Sequence, residues 1–311
     1  MIEDDKRQHL TVICPVFNER ETVPLFFARM QPVVAALSKK YRVDVLFLNN
    51  ASTDGTYEVL RNLAESHAFV HYISLSTNVG YQRSLECGLH HAKGDLLAFI
   101  DVDCEDPPEM ILDFVRCHEE GNDIVYGERV DRVENWFVKQ LRKIFYHVVH
   151  RIADEEVILY MAEFALFTAE VREAIIADKS SFPFIRSSIA RVGFRRAGIP
   201  YKRQRRVAGE THYNFFGMAV FAIAGILASS TLALRLPAYL LPFWLLATGL
   251  LGARYIEDNN AWWLLTDAML FCAYIGGSIA FTALYVARTY KNGLGRPNFV
   301  VYRRFSRPQP D

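Results

Sequence analysis

The stretch Leu96–Glu109, LLAFIDVDCEDPPE, decides how the chain is organised. Its first five residues are apolar, which is typical of a buried strand in an α/β protein. Four carboxylates follow this run directly: Asp101, Asp103, Glu105 and Asp106. Two adjacent prolines then end the strand and allow a helix to begin. Because α/β sheets hold ligands beyond the carboxyl ends of their parallel strands, the stretch predicts a ligand site at that edge of the sheet.

Asp101 and Asp103 are the candidate metal ligands within this stretch. One residue separates them, so both side chains can face the same ion, and carboxylate oxygens are ligands that Mg²⁺ and Mn²⁺ prefer. The alternative is a solvated acidic turn, which is the commoner interpretation of an isolated D-x-D sequence. The buried strand that precedes the two aspartates favours the metal site.

Apolar runs of the same kind recur along the first half of the chain, separated by segments with helical spacing. The predicted strands are residues 10–16, 43–48, 70–75, 96–100 and 123–126, and the predicted helices are residues 22–37, 54–66, 81–92 and 108–119. This alternation predicts an α/β domain in which helices cover both faces of a mostly parallel sheet. Residues 135–153 and 182–191 are interpreted as further helices, and residues 194–200 as a last edge strand.

The overall charge of the chain favours no nucleic-acid partner. The 311 residues contain 35 Lys plus Arg and 35 Asp plus Glu, and the basic residues adjoin the apolar segments without interleaved stacking aromatics. Five scattered cysteines without C-x-x-C spacing exclude a disulfide framework and a zinc site, and they indicate a reducing compartment. The N-terminal residues lack the apolar segment of a cleavable signal peptide.

Two charge-free segments near the C-terminus, residues 236–253 and 268–287, predict a membrane hairpin. Each approaches the roughly 20 apolar residues that a spanning helix needs. A soluble helical domain with two buried helices is the alternative. Residues 213–234 are weakly hydrophobic and are interpreted as helices that lie in the membrane interface. With two spans, the basic residues on either side of the hairpin share one face, which the positive-inside rule places in the cytosol.

The predicted domain organisation has four parts. They are a cytosolic α/β domain at residues 1–212, interfacial helices at 213–234, a transmembrane hairpin at 235–290 with spans at about 236–254 and 264–287, and a basic cytosolic tail at 291–311. The chain is therefore predicted to be an integral membrane protein with both termini in the cytosol.

Six motifs, taken together and in order, resemble the family 2 glycosyltransferases of GT-A (Rossmann-like) fold. They are CPVFNE, FLNNASTDGT, NVGYQRSLECGL, GDLLAFIDVDCEDPPE, YGER and RRVAGETHY. More narrowly, the motifs resemble the polyisoprenyl-phosphate glycosyltransferases, the group of dolichyl-phosphate mannose synthase and the bacterial undecaprenyl-phosphate sugar transferases. The resemblance covers residues 9–215, and the two-span C-terminal part fits the bacterial members by layout.

The resemblance implies a donor site for a nucleotide-sugar linked to UDP or GDP. Its nucleotide would contact Pro15, Phe17, Glu19, Asn50 and Asp101. Its diphosphate would bind a Mg²⁺ or Mn²⁺ ion held by Asp101, Asp103 and Glu105. The family's two aspartates after the second strand are replaced here by Asn49 and Asn50, which can accept a hydrogen bond but carry no charge.

The resemblance also implies a polyisoprenyl phosphate as acceptor, metal-dependent inverting transfer at the cytosolic membrane face, and assembly into a homo-oligomer through the membrane segments. The implied catalytic residues are Asp101, Asp103 and Arg206. The implied acceptor-phosphate residues are Arg129, Lys139, Arg142, Glu163, Arg205, Arg206 and His212. Lys202 and Arg203 are interpreted as contacts with anionic lipid or with the acceptor phosphate.

Two other functions remain open at this point. The first is a family 2 glycosyltransferase with a hydroxyl acceptor on a glycan or glycolipid, which would need a carboxylate base, and Glu163 is the candidate for that base. The second is a catalytically silent membrane scaffold, which the uncharged Asn49 and Asn50 suggest.

Overall fold

The computed structural model describes residues 7–129, 158, 161–178, 180, 183–204 and 230–310. The predicted helix at residues 135–153 lies outside the described residues, as do most of the basic loop before the membrane segments and residues 213–229 of the predicted interfacial helices.

Seven described strands form one sheet. They are β1 His9–Val16, β2 Arg42–Asn49, β3 Val70–Ser74, β4 Leu96–Phe99, β5 Ile124–Arg129, β6 Met161–Thr168 and β7 Arg196–Tyr201. Eight described helices accompany them. They are α1 Thr22–Leu37, α2 Thr56–Ser66, α3 Tyr81–His91, α4 Met110–Glu119, α5 Ala169–Ile176, α6 Ile185–Arg191, α7 Leu232–Asp258 and α8 Ala261–Gly293.

The strand order is β3-β2-β1-β4-β6-β5-β7. Strands β3, β2, β1 and β4 pair in parallel, β7 pairs in parallel with β5, and β6 runs antiparallel to both of its neighbours. The carboxyl ends of β1, β2 and β4 therefore meet at one edge of the sheet. The predicted mostly parallel sheet is confirmed, including an edge strand close to residues 194–200.

Helices cover both faces of this sheet, as the continuous apolar strands predict. On β1, Val12 belongs to a hydrophobic cluster that includes residues of α1, α2 and α4, whereas the next residue, Ile13, belongs to a second cluster with residues of α3, α5 and α6. Helix α3 lies especially close to the sheet at Gly88, where a Cβ atom would be 2.7 Å from a methyl group of Ile13. Any larger residue at this position would push α3 away from the strands.

Helices α7 and α8 form an antiparallel hairpin, and both are long and apolar enough to cross a membrane. The turn between them is made by two asparagines. Asn259 ends α7 in the left-handed conformation, and the side chain of Asn260 caps α8 by accepting a hydrogen bond from the backbone N–H of Trp262. No residue in the apolar window of either helix is buried, which is expected of helices that face lipid.

Residues 298–310, called here the C-terminal strap, return from the hairpin to the α/β domain. The strap pairs antiparallel with β3 and the residues after it, at the bridges Tyr72–Arg307 and Leu75–Val301. It thereby covers an edge of the sheet that would otherwise present unpaired backbone groups. The sequence predicts a basic cytosolic tail at residues 291–311, and the backbone of the strap within it pairs with the α/β domain.

The strap ends in a buried polar cluster at the amino ends of β1 and β2. The side-chain amide of Gln309 donates to Asp44 Oδ2 at 2.8 Å and to Thr11 Oγ1 at 2.8 Å, and it accepts a hydrogen bond from the backbone N–H of Lys93. Burial opposes the ionisation of Asp44, but hydrogen bonds from His71, His9 and Gln309 hold the pKa of its carboxyl well below the usual range.

We predict that Gln309→Ala releases the strap and lowers the stability of the α/β domain by about 1–3 kcal/mol, because buried polar groups lose their partner. Thermal unfolding of the purified protein in detergent measures the loss. Trypsin cleavage at the strap arginines, such as Arg303 and Arg307, should become faster. Gln31→Ala, which truncates an exposed side chain on α1, is the matched control. Equal melting temperatures for the two variants would contradict the anchoring role of Gln309.

Candidate active site

Three loops meet at the carboxyl edge of the sheet, and each contains a residue in the left-handed conformation. These residues are Asn18 after β1, Ala51 after β2 and Cys104 after β4, with φ angles of 55°, 57° and 58°. Each costs about 1–2 kcal/mol relative to an ordinary backbone conformation for a residue other than glycine. Conformations of this kind cluster at ligand sites because the surrounding structure fixes the loop.

The loop after β1 is held on the loop after β2 by backbone-to-side-chain hydrogen bonds. The side chain of Asn18 accepts from the N–H of Thr53, and the N–H of Glu19 donates to the hydroxyl of Thr56. These contacts bring the predicted donor residues Pro15, Phe17 and Glu19 to the same edge as Asn50. Pro15 is buried in the last part of β1, whereas Phe17 and Glu19 are partly exposed.

Asn50 uses its side-chain amide to hold the loop that leads into α3. Its Nδ2 donates to Asn78 Oδ1 at 3.0 Å, and its Oδ1 accepts from the N–H of Val79 at 2.9 Å. Asn78 Oδ1 also accepts from the N–H of Gly80. An aspartate at position 50 would lack the donated hydrogen bond, so the asparagine fits this loop better than the carboxylate of the family pattern.

Asp101 is the first carboxylate of the acidic loop, which comprises residues 101–106. Its Oδ1 accepts a hydrogen bond from the hydroxyl of Tyr81, the first residue of α3, at 2.8 Å. Burial, followed by the negative charges of Asp103 and Asp106, raises the pKa of Asp101 to about 8. Burial also raises the pKa of Tyr81, which keeps its hydroxyl protonated and able to donate.

Arg203, just beyond β7, lies against the rest of the acidic loop. Its guanidinium is 2.6 Å from Glu105 Oε2, 3.8 Å from Asp103 Oδ2 and 3.7 Å from Asp106 Oδ1. Asp103 Oδ1 accepts from the N–H of Glu105. Within the described residues, no three carboxylate, imidazole or thiol side chains are arranged to hold a metal ion. Asp103 and Glu105 nevertheless both face one cation, the guanidinium of Arg203. Their carboxylate oxygens are also of the kind that divalent ions such as Mg²⁺ bind.

Arg129, predicted to contact the acceptor phosphate, is paired inside the domain. Its Nη2 is 3.2 Å from Asp106 Oδ2, and its Nε donates to the hydroxyl of Tyr201, which in turn donates to Asp106. Burial opposes the charge on Arg129, but Asp106 raises the pKa of the guanidinium above its usual value. Asp106 is therefore neutralised by an arginine that is itself largely buried.

Glu163 on β6 is also ion-paired. Its Oε2 lies 2.5 Å from Arg186 Nη2 on α6, and Gln82 on α3 donates to its other oxygen at 3.4 Å. Burial opposes ionisation of Glu163, but Arg186 and Arg129 lower the pKa of its carboxyl below the usual value. A carboxylate held in this way is a weak proton acceptor.

Five predicted site residues lie outside the described residues: Lys139, Arg142, Arg205, Arg206 and His212. Conversely, the structure adds Tyr81, Asn78 and Arg186 to the carboxyl edge of the sheet. The sequence signal for Tyr81 and Asn78 is their place in the motif NVGYQRSLECGL. In the sequence, Arg186 is marked only as part of a basic stretch. Its contact with Glu163 could not be predicted, because it depends on how α6 packs on β6.

The family model for glycosyl transferase family 2 matches residues 11–221. An uncharacterized glycosyltransferase of Synechocystis sp. is 30% identical over 94% of this chain and 94% of its own length. The prophage bactoprenol glucosyl transferase homolog of Escherichia coli is 28% identical over 94% of this chain and 98% of its own length. The bactoprenol glucosyl transferase of Shigella phage SfX is 29% identical over 95% of this chain and 99% of its own length.

Solved structures also share similarity with the chain. A mannosyltransferase from Pyrobaculum calidifontis, determined in complex with GDP-Man and Mn²⁺, is 19% identical and has a TM-score of 0.47 over 89% of this chain and 87% of its own.

We predict that Asn50→Asp destabilises the α/β domain more than Asn49→Asp, by about 1 kcal/mol. Both asparagines are 4% exposed, so the cost of burying a new charge is matched. Asn49 donates to the hydroxyl of Ser74, which can rotate and donate to an aspartate instead. Asn78 Oδ1 is an acceptor that is held in place by the N–H of Gly80, so it cannot donate a hydrogen bond to an aspartate at position 50. Thermal unfolding of the two variants measures the difference, and an equal loss would contradict the assigned hydrogen-bond directions.

The raised pKa of Asp101 predicts a pH-dependent stability in the presence of a metal chelator. The folded protein holds a proton on Asp101 up to a pKa of about 8, whereas an unfolded aspartate releases it near pH 4. This contribution is therefore fully present below about pH 4 and is lost as the pH rises to about 8. Melting temperatures at pH 5 and pH 8.5 should differ less for Asp101→Asn than for the unchanged protein. Asp113→Asn, at an exposed position of α4, should keep the original difference, and a similar slope for Asp101→Asn would contradict the prediction.

Proposed function

This chain belongs to glycosyl transferase family 2, and we propose that it transfers a sugar from a nucleotide-sugar to a polyprenyl phosphate at the cytosolic surface of a membrane. The observation that carries the proposal is the acidic loop at the carboxyl edge of the sheet. It adjoins the loops after β1 and β2, so a nucleotide, its diphosphate and a cation fit along a single edge.

The donor side of the proposed site uses residues from three loops. The nucleoside lies along Pro15, Phe17 and Glu19, and Asn50 holds the loop before α3 close to it. The diphosphate lies over Asp103 and Glu105. A Mg²⁺ or Mn²⁺ ion bound by these carboxylates would act as a Lewis acid that stabilises the charge on the departing diphosphate.

The proposed acceptor rests on the length over which the relatives align. Two relatives named for bactoprenol glucosyl transfer match at least 94% of this chain, so the likeness extends through the hairpin α7–α8 as well as the α/β domain. A polyprenyl phosphate presents its phosphate at the membrane surface while its chain remains in the lipid. A hairpin beside the domain keeps the active site within reach of that phosphate.

A phosphate acceptor also agrees with the state of Glu163. The second pKa of a phosphate monoester is about 6, so the acceptor is largely a dianion at neutral pH and needs no strong base. A hydroxyl acceptor would need one. Glu163 is paired with Arg186 and has a lowered pKa, which makes it a poor base and a better positioning group. Direct attack by the phosphate would invert the anomeric centre of the sugar.

The proposed orientation follows from charges at the two ends of the hairpin. Arg235, Arg288 and Lys291 lie at the end from which the chain returns to the α/β domain. The opposite end, beside the turn, carries one basic residue, Arg254, which pairs with Glu257. The positive-inside rule then favours a cytosolic α/β domain.

We predict that the purified protein, supplied with a polyprenyl phosphate, Mn²⁺ and a panel of UDP- and GDP-sugars, forms a lipid-linked sugar. The product should be cleaved by mild acid, as a sugar phosphodiester of a prenol. Asp103→Asn should lower the rate by at least about 100-fold, because a cation ligand is lost. Asp113→Asn is the matched control on an exposed carboxylate. Transfer to a hydroxyl acceptor with none to the phosphate, or full activity of Asp103→Asn, would contradict the proposal.

A further inference from the structure

The acidic loop concentrates four carboxyl groups, and those that ionise must be neutralised whether or not a donor is bound. Asp101, Asp103, Glu105 and Asp106 lie within six residues. Carboxylates at this spacing disfavour one another's ionisation, and a nearby cation relieves the repulsion. Among the described residues, the guanidinium groups of Arg129 and Arg203 form the ion pairs to this loop.

These two arginines differ in how tightly they are held. The side chain of Arg129 is 14% exposed and is paired with Asp106, which is 1% exposed. The side chain of Arg203 is 38% exposed and contacts Glu105 and Asp103, the same carboxylates that suit a divalent ion. Moving Arg129 would leave a buried charge without a partner. Moving Arg203 returns its own charge to water, but Asp103 and Glu105, whose side chains are 13% and 18% exposed, then need another cation.

The backbone at Arg203 is anchored by contacts that do not use its side chain. The N–H of Gln204 donates to the carbonyl oxygen of Glu105 at 2.8 Å. Arg29 on α1 donates to the side chain of Gln204 and also pairs with Glu109. The end of β7 therefore stays beside the acidic loop when the Arg203 guanidinium leaves it.

We infer that Arg203 is a built-in, displaceable counter-cation that occupies the acidic loop before the donor binds and competes with the divalent ion for Asp103 and Glu105. When the ion arrives with the diphosphate, the guanidinium is released within reach of the phosphate oxygens, which arginine binds well. Arg203 thus disfavours binding of the metal alone and favours binding of metal and diphosphate together. The inference rests on the proposed function in one respect, that these carboxylates bind a divalent ion.

The test measures Mn²⁺ binding to the full-length protein in detergent, by the electron paramagnetic resonance signal of free Mn²⁺. Without nucleotide, Arg203→Gln should bind Mn²⁺ about 3- to 10-fold more tightly than the unchanged protein, because an ion pair no longer competes. Arg203→Lys keeps the charge and should bind Mn²⁺ less tightly than Arg203→Gln. Arg61→Gln removes a similarly exposed, ion-paired arginine on α2 and should leave the affinity unchanged.

A second measurement uses UDP and GDP as probes in saturating Mn²⁺. Whichever nucleotide binds the unchanged protein should bind Arg203→Gln several-fold more weakly, as determined by calorimetry. Arg203→Gln should therefore strengthen Mn²⁺ binding and weaken nucleotide binding, as expected for a displaceable cation. Loss of a purely structural ion pair would weaken both Mn²⁺ and nucleotide binding, or neither.

The outcomes distinguish this inference from the proposed function. Equal or weaker Mn²⁺ binding by Arg203→Gln, with Mn²⁺ still bound by the unchanged protein, would overturn the role of Arg203 and leave the metal site intact. Absence of Mn²⁺ binding in the unchanged protein, in Arg203→Gln and in the presence of nucleotide would overturn the proposed metal-dependent transfer as well.

Discussion

The negative charge between residues 101 and 106 is the constraint on which the rest of the site depends. Carboxylates placed so close together at the end of a buried strand repel one another unless cations or donors compensate them. The fold supplies several such groups. Tyr81 donates to Asp101, Arg129 is buried against Asp106, and Arg203 lies across the remaining carboxylates. Because these groups come from α3, β5 and the end of β7, the charge connects elements that are far apart in the sequence.

Helix α3 connects this charged edge to the membrane hairpin. Tyr81 at its start contacts the acidic loop. In its middle, the carboxylate of Glu86 accepts from the side-chain amide of Asn298, the first residue of the C-terminal strap. Helix α8 ends at Gly293, so only a short segment separates the membrane helix from this contact. The strap then follows β3 and ends with Gln309 beneath β1 and β2. The segment that leaves the hairpin thus holds the α/β domain at two places.

Local sequence patterns were sufficient to predict the strands that are continuous apolar runs and the helices whose apolar residues recur at helical spacing. The run before Asp101 predicts both β4 and the loop that follows it. Patterns were insufficient where a partner is distant. Strand β6 has no predicted type because a buried antiparallel strand and a short buried helix have similar composition. Arg203 is interpreted from its neighbours as a contact with anionic lipid or with the acceptor phosphate, and its described partners lie on the loop after β4. The strap is basic, and it pairs with β3 through backbone groups, which no pattern of side chains in the sequence reveals.

The central claim is that the acidic loop exchanges an arginine for a divalent ion when a diphosphate binds. An anomalous difference map from crystals grown with Mn²⁺ and the bound nucleoside diphosphate tests it most directly. The account predicts one manganese peak at coordination distance, about 2.0–2.6 Å, from carboxylate oxygens of Asp103 and Glu105, with the Arg203 guanidinium moved onto the diphosphate. A manganese peak elsewhere, or a diphosphate bound while Arg203 still contacts Glu105, would contradict it.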